Sequence, residues 1–322
     1  MRFCKREAPT RGKDAKIVAS GLNAAKKRGM IYCTIIGQGG KGVPAIGYYN
    51  GTFGDPDTMT VPMNDRAVYF GDGCYEACLV IGTKAFRLEA HIDRFCRSLA
   101  ALSIPFFSDR DFLTGVLDRC IRIANEPCAV LYWQASRATA PRTHAFPKDA
   151  APNLLVTVRP KTLLPRERTL KLITADDIRY AMCDVKTLNL IPNILANQRA
   201  KEAGADEAVF VRDGCVTEGS HTNIHILKKG TLITHPTDNR ILAGVTRAAL
   251  LEDAKENGVP VLLRAFTKDE MTKADEVLVT SSTLGVRRAE TVDGAAVGGK
   301  AEALYETLLR SYERSFMRET RA

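Results

Sequence analysis

Short apolar runs separated by two-residue turn signals are what most constrain how this chain can fold. Asn50-Gly51 lies between Tyr48-Tyr49 and Thr52-Phe53, and Gly82-Thr83 lies between residues 77–81 and 84–88. Asp213-Gly214 and Lys229-Gly230 separate the runs 207–211, 223–227 and 231–234. Such dipeptides tolerate the positive φ of tight hairpins, so the flanking runs are expected to pair as antiparallel strands. Further strands are expected at 128–133, 154–158, 170–174 and 276–280. Helical spacing appears in Ile92, Phe95, Leu99 and Leu102 and again in Phe112, Val116 and Cys120, and more helices are expected near 192–203, 244–257 and 300–317. The pattern is α+β, and 322 residues exceed what one domain usually holds. A smaller N-terminal α/β lobe over 46–149 and a larger C-terminal lobe over 150–322 follow, the second built on a barrel-like, mostly antiparallel sheet with helices outside. A polar, Pro-containing stretch at 150–153 is the expected linker.

The net charge of +9 suggests a polyanion partner until its distribution is read. Residues 1–41 hold ten Lys or Arg against Glu7 and Asp14, a local charge of +8, leaving +1 for the rest. The basic character belongs to residues 1–45, read as a flexible extension, so nucleic acid is not the expected partner of the body. No apolar run approaches the roughly 18 residues of a membrane span, and a soluble, cytoplasmic protein is expected. The nine cysteines, Cys4, Cys33, Cys74, Cys78, Cys96, Cys120, Cys128, Cys183 and Cys215, form no Cys-x-x-Cys pair and have no His cluster nearby. Buried thiols fit this better than a disulfide framework or a zinc site, and no metal is expected.

Several segments carry candidate chemistry. Lys186 stands in Val185-Lys186-Thr187-Leu188, apolar company for a lysine. Most lysines are solvated, but a partly desolvated amine has a lowered pKa and can condense with an aldehyde or move a proton. Glu218, in Thr217-Glu218-Gly219-Ser220-His221-Thr222, is either turn chemistry or a carboxylate able to face a ring nitrogen. Gly244-Val245-Thr246-Arg247 opens a helix whose free N–H groups suit a phosphate, and Thr280-Ser281-Ser282-Thr283 ends a strand with more hydroxyls. Arg94 is a solvated side chain or a buried cation awaiting an anion. Arg142 and His144, two residues apart in a loop, point to the same side if extended and could bind a carboxylate.

In order along the chain, Tyr69-Phe70-Gly71-Asp72-Gly73-Cys74-Tyr75-Glu76, His91-Ile92-Asp93-Arg94, Pro141-Arg142-Thr143-His144, Cys183-Asp184-Val185-Lys186-Thr187-Leu188-Asn189, Thr217-Glu218-Gly219-Ser220 and Gly244-Val245-Thr246-Arg247 closely resemble the fold-type IV pyridoxal-phosphate enzymes. Within them the D-amino acid transaminases are the nearest match, from about Ile46 to the C-terminal helix. The resemblance implies pyridoxal 5'-phosphate joined to Lys186 as a Schiff base and Glu218 paired with the ring nitrogen. It places Arg94, Val245, Thr246, Ser281 and Ser282 around the phosphate, Leu242 on the ring face, and Ser220, His221 and Thr222 beside the cofactor. Tyr75, Arg142 and His144 would bind the substrate carboxylate, the last two reaching over from the other subunit of a homodimer. The implied reaction is ping-pong transfer from a D-amino acid such as D-alanine to a 2-oxo acid such as 2-oxoglutarate. Branched-chain L-amino acid transamination and aminodeoxychorismate lysis are the alternatives on the same fold. His221 stands where D-specific relatives commonly carry a small hydroxyl residue, which bears on side-chain preference.

Overall fold

The computed structural model describes residues 45–105, 109–149 and 151–320. The basic run 1–44 and residue 150 of the expected linker lie outside them. The first part of the chain gives β1 (Ile46–Tyr49), β2 (Thr52–Gly54), α1 (Arg66–Phe70), β3 (Gly73–Ile81), β4 (Lys84–Ala85), α2 (Leu88–Ala101), α3 (Arg110–Ala124), β5 (Cys128–Ser136) and β6 (Asn153–Pro160). Its strands form one antiparallel sheet in the order β2-β1-β6-β5-β3-β4. Asn50 (φ 44°) and Gly51 (φ 98°) both take the left-handed conformation that the tight β1–β2 hairpin requires. Because β6 pairs with both β1 and β5, the stretch expected to link two lobes joins two strands of the first sheet. The passage to the second sheet is made by residues 161–169.

Helices α2 and α3 cover this sheet. Ile92, Phe95 and Leu99 are buried as their spacing predicts. In α3 the phase differs: Leu113, Leu117, Cys120, Ile121 and Ala124 are buried, whereas Phe112 is exposed. Asp109 starts the helix by accepting the Asp111 and Phe112 N–H groups, and the stripe from Leu113 to Ala124 turns inward.

The second part gives β7 (Leu170–Asp176), α4 (Ile191–Glu202), β8 (Glu207–Arg212), β9 (Cys215–Gly219), β10 (Asn223–Lys228), β11 (Thr231–Thr234), α5 (Val245–Glu256), β12 (Val261–Leu263), β13 (Phe266–Thr267), α6 (Lys268–Thr272), β14 (Glu276–Ser281), β15 (Gly285–Val292), β16 (Ala295–Ala296) and α7 (Glu302–Thr320). They build a curled half-barrel in the order β12-β11-β10-β14-β15-β7-β8-β9-β13, with β16 on β15. Most pairs are antiparallel; β7 runs parallel to β8 and β15, and β11 to β12. The architecture is the expected α+β fold.

Alternation along β10 decides what meets the site. Ile224 and Ile226 join Val209, Phe266 and Val279 in the core within the curl. Asn223, His225 and Leu227 point to the other face, where Leu227 packs with Leu250 of α5 and Leu308 of α7. Asn223 and His225 are thereby aimed at the start of α5. No helix among the described residues is long and apolar enough to cross a membrane.

Candidate active site

Lys186 sits in an extended segment held against the start of β3. Its carbonyl accepts the Tyr75 N–H at 3.0 Å, Leu188 N–H donates to the Gly73 carbonyl at 3.0 Å, and Lys186 N–H donates to Ser98 Oγ at 3.3 Å. These bonds fix the backbone and send the side chain into a cavity of about 230 Å³, with Nζ 4.1 Å from the Tyr75 ring centre. Tyr75 in turn stacks on Tyr132, ring centres 5.5 Å apart.

One wall belongs to Glu218 at the end of β9. Arg179 Nη1 donates to its Oε1 at 2.5 Å, and Asn223 Nδ2 and the Leu242 N–H donate to Oε2 at 3.0 and 2.9 Å. Burial pushes the Glu218 carboxyl up to about 7 against the opposing pull of Arg179. Arg179 is itself clasped by Asp177 through Nε and Nη2, both at 2.9 Å.

The opposite end is the start of α5. Gly244 precedes it without any side-chain cap, so the first N–H groups face the cavity unclaimed. Thr246 is 2% exposed and its hydroxyl is buried with no hydrogen-bond partner; the Tyr312 hydroxyl is near but outside bonding geometry. An orphaned hydroxyl beside an uncapped helix start is what a phosphate requires. Glycine is obligatory here: a Cβ on Gly244 would lie 2.0 Å from Asn223 Oδ1, the residue that also holds Glu218. Gly244→Ala is therefore expected to cost about 2 kcal/mol of stability; an unchanged urea midpoint would refute that close approach.

Tyr75, Arg94, Lys186, Glu218, Ser220, His221, Thr222, Leu242, Val245, Thr246, Ser281 and Ser282, all predicted from sequence, line this one cavity. Their hydrogen bonds divide them. The Ser220 and Thr222 hydroxyls donate to Glu207, at 2.5 and 2.9 Å, rather than facing the cavity unengaged. Arg94 sends Nε and Nη2 to Glu76 at 2.6 and 2.9 Å and Nη1 to the Ala243 carbonyl at 2.9 Å. Burial would raise Glu76, but Arg94 and His91 outweigh it and hold it down to about 2. Arg142 and His144 do not line this cavity. Both are exposed and lean on Phe70, the Arg142 guanidinium 5.0 Å from its ring centre and the His144 ring edge-on at 5.5 Å.

Glu76, Arg179, Glu207 and Asn223 were missed in the sequence. For the two glutamates a signal existed: each begins or interrupts an apolar strand, and an acid that a strand buries must find a cation or several donors. Arg179, in the polar turn Asp176-Asp177-Ile178-Arg179, gave none.

The sequence model of the amino-transferase class IV family matches residues 73–292, which takes in every element of the cavity. The chain belongs to the class IV aminotransferases. Among its relatives, this class IV aminotransferase is 34% identical over 275 residues to the D-alanine aminotransferase of Bacillus licheniformis, covering 84% of this chain and 97% of that one. It is 34% identical over 273 residues to the D-alanine aminotransferase of Staphylococcus aureus strain MSSA476, covering 83% and 96%. In fold it is similar to the branched-chain amino acid aminotransferase of Escherichia coli (TM-score 0.78, 20% identity, 86% of this chain and 96% of that one). A hypothetical aminotransferase from Mycobacterium tuberculosis is similar too (TM-score 0.74, 24% identity, 85% and 99%).

Proposed function

We propose that this aminotransferase moves the amino group of a D-amino acid such as D-alanine to a 2-oxo acid such as 2-oxoglutarate, with pyridoxal 5'-phosphate as its cofactor. The observation that carries the cofactor is the three-part cavity: an amine at its centre, a braced carboxylate at one end, and an uncapped helix start with an orphaned hydroxyl at the other. D-selectivity rests on the kinship with D-alanine aminotransferases that match nearly their whole length.

When bound, the cofactor supplies an electron sink for the carbanion left by deprotonation at the substrate α-carbon. Lys186 Nζ would take that proton from the substrate α-carbon and deliver it to the carbon that carried the cofactor's aldehyde, its backbone pinned so that the amine keeps one position. Glu218, fixed by Arg179, Asn223 and the Leu242 N–H, accepts a hydrogen bond from a protonated ring nitrogen and is kept ionised by it. Val245, Thr246 and the strand-end Ser281 and Ser282 take the phosphate. Leu242 and Tyr75 wall the ring, and their apolar surface excludes water.

Arg142 and His144, exposed and outside this cavity, fit the homodimer that the resemblance implies. Each protomer lends the pair to the other's substrate carboxylate. Fixing that carboxylate decides which α-hydrogen faces Lys186, and a misplacement of about 1 Å can cost about 10²-fold. Matched D and L donors with 2-oxoglutarate provide the test: kcat/KM for D-alanine should exceed that for L-alanine by about 10²-fold. Turnover of L-alanine or branched-chain L-amino acids alone would overturn the reading, as would release of pyruvate from aminodeoxychorismate without an amino acceptor.

A further inference from the structure

Helix α1 and the loop that carries Arg142 and His144 are joined by a buried charge cluster. Asp72 accepts Arg66 Nε at 2.7 Å and Arg137 Nε and Nη2 at 2.9 and 3.0 Å. Both arginines are buried, at 3% and 6% exposure, so two guanidinium groups share one carboxylate. Burial would raise the Asp72 carboxyl, but Arg137 and Arg66 outweigh it and hold it below the usual carboxylate range. The donors left over go to carbonyls. Arg137 reaches those of Leu102 and Ser103, each at 2.8 Å, and Arg66 Nη1 reaches that of Thr143 at 2.6 Å.

Thr143 stands between the two side chains assigned above to the substrate carboxylate. Phe70, one turn after Arg66 in α1, lies against both of them, and Arg66 Cζ is 4.9 Å from the centre of the same ring. Phe146 holds the far side of the loop, its ring centre 3.5 Å from Arg137 Cζ. Ordering an exposed loop costs backbone entropy that such contacts must offset. Among the described residues the bond from Arg66 is the only hydrogen bond that reaches the backbone of residues 142–146 from outside the loop. It falls on the peptide between Arg142 and His144.

We propose that Arg66, held by Asp72, is the positioning residue that fixes the peptide between Arg142 and His144 and so sets the spacing at which the pair grips a substrate carboxylate. The assignment rests on the reading of Arg142 and His144 as that clamp. Two side chains two residues apart converge only while the peptide between them keeps one orientation. Arg66 imposes that orientation from a buried position with a charged donor, and the Asp72 carboxylate fixes the plane of its guanidinium. Arg137 holds Asp72 in turn, so the clamp is braced on the residue that precedes β3, the strand that carries Tyr75.

The test is a mutant cycle in the cofactor-loaded protein. The unsubstituted chain, Arg66→Met, the clamp-less chain with Arg142→Ala and His144→Ala, and the chain with all three changes are assayed with D-alanine and 2-oxoglutarate. Amide hydrogen exchange of residues 142–146 is followed in the same samples by mass spectrometry. Arg66→Met should raise KM for D-alanine by about 10-fold, the equivalent of one lost hydrogen bond, with kcat little changed. Exchange should quicken in residues 142–146 and hold in β3. In the clamp-less chain Arg66→Met should add nothing to KM, because it acts through the clamp. Losses that add in full, or a lowered kcat with KM unchanged, mean a structural role and overturn the assignment alone. So does a KM raised in the clamp-less chain but not in Arg66→Met. An unchanged KM in the clamp-less chain overturns the reading of Arg142 and His144 together with it. If Arg66→Met does not fold, Arg66→Lys carries the cycle: it keeps the charge beside Asp72 but lacks the fork that also spans to Thr143, and an unchanged KM in that variant refutes the proposal.

Discussion

Lys186→Ala is expected to lower transamination by about 10⁴-fold, the upper range for loss of a general acid–base group, and to abolish the visible absorbance of the cofactor-loaded protein. The fold should survive, because what ties this residue to its surroundings is backbone: its carbonyl to Tyr75 N–H and its N–H to Ser98 Oγ. Alanine keeps both bonds and gives up the approach of Nζ to the Tyr75 ring. Folding free energy should move by less than about 1 kcal/mol, as for residues outside a packed core. The decisive pair of measurements is a coupled alanine–2-oxoglutarate assay and a urea titration of the same sample. Substantial turnover with an unchanged urea midpoint would remove Lys186 from the chemistry; lost turnover with a collapsed midpoint would reassign it to structure.

Glu218→Gln should lower kcat by about 10³-fold, the size expected when a preorganised charge opposite the reacting system is removed. Glutamine keeps the shape but turns one acceptor into a donor, so it can accept from Arg179 or from Asn223 and the Leu242 N–H, not from both ends, and the loss combines the missing charge with one broken contact. The same substitution carries a stability signature in the cofactor-free protein. Burial raises the Glu218 carboxyl from 4.5 to about 7, so the folded state holds a proton that the unfolded chain has released between those values. Stability from this group is therefore greatest below about pH 4.5 and declines as pH rises to about 7, by up to about 3 kcal/mol. Glu218→Gln should flatten that decline, and so should saturating cofactor, which brings a positive nitrogen to the carboxylate. Denaturant midpoints from pH 5 to 8 test this; an equal slope in parent and variant would show that Glu218 is ionised throughout.

The chemistry was more legible in the sequence than the geometry. Lys186, Glu218 and Thr246 could be picked out because each is a chemically apt residue in a local setting that already hints at its use. Turn dipeptides likewise placed the hairpins, since positive φ at Asn50 and Gly51 is a local demand. Strand β9 escaped because Cys215–Gly219 is short and half polar, and it is held by pairing with β8 and β13 rather than by its own pattern. The phase of α3 was lost by one residue because Phe112 and Val116 were taken for the stripe that Leu113, Leu117, Cys120, Ile121 and Ala124 form at the same helical spacing. Arg179 was invisible for another reason: Thr217 and Glu218 meet it only after β7, β8 and β9 have aligned. Arg142 and His144 lie exposed against Phe70, outside the cavity that gathers the other predicted residues.

Glu207 accepts donors from Ser220 N and Oγ, His221 N, and Thr222 Oγ1, anchoring the segment after Glu218 from behind. The imidazole of His221 is left half exposed at the rim of the cavity. Tolerance and constraint thus fall on adjacent positions. Exchanging His221 gives up its Nδ1 contact to Glu207 at 3.0 Å but keeps the four donors from Ser220, the His221 backbone and Thr222, so it can reshape the entrance for a larger, smaller or charged donor while the carboxylate three positions earlier stays anchored.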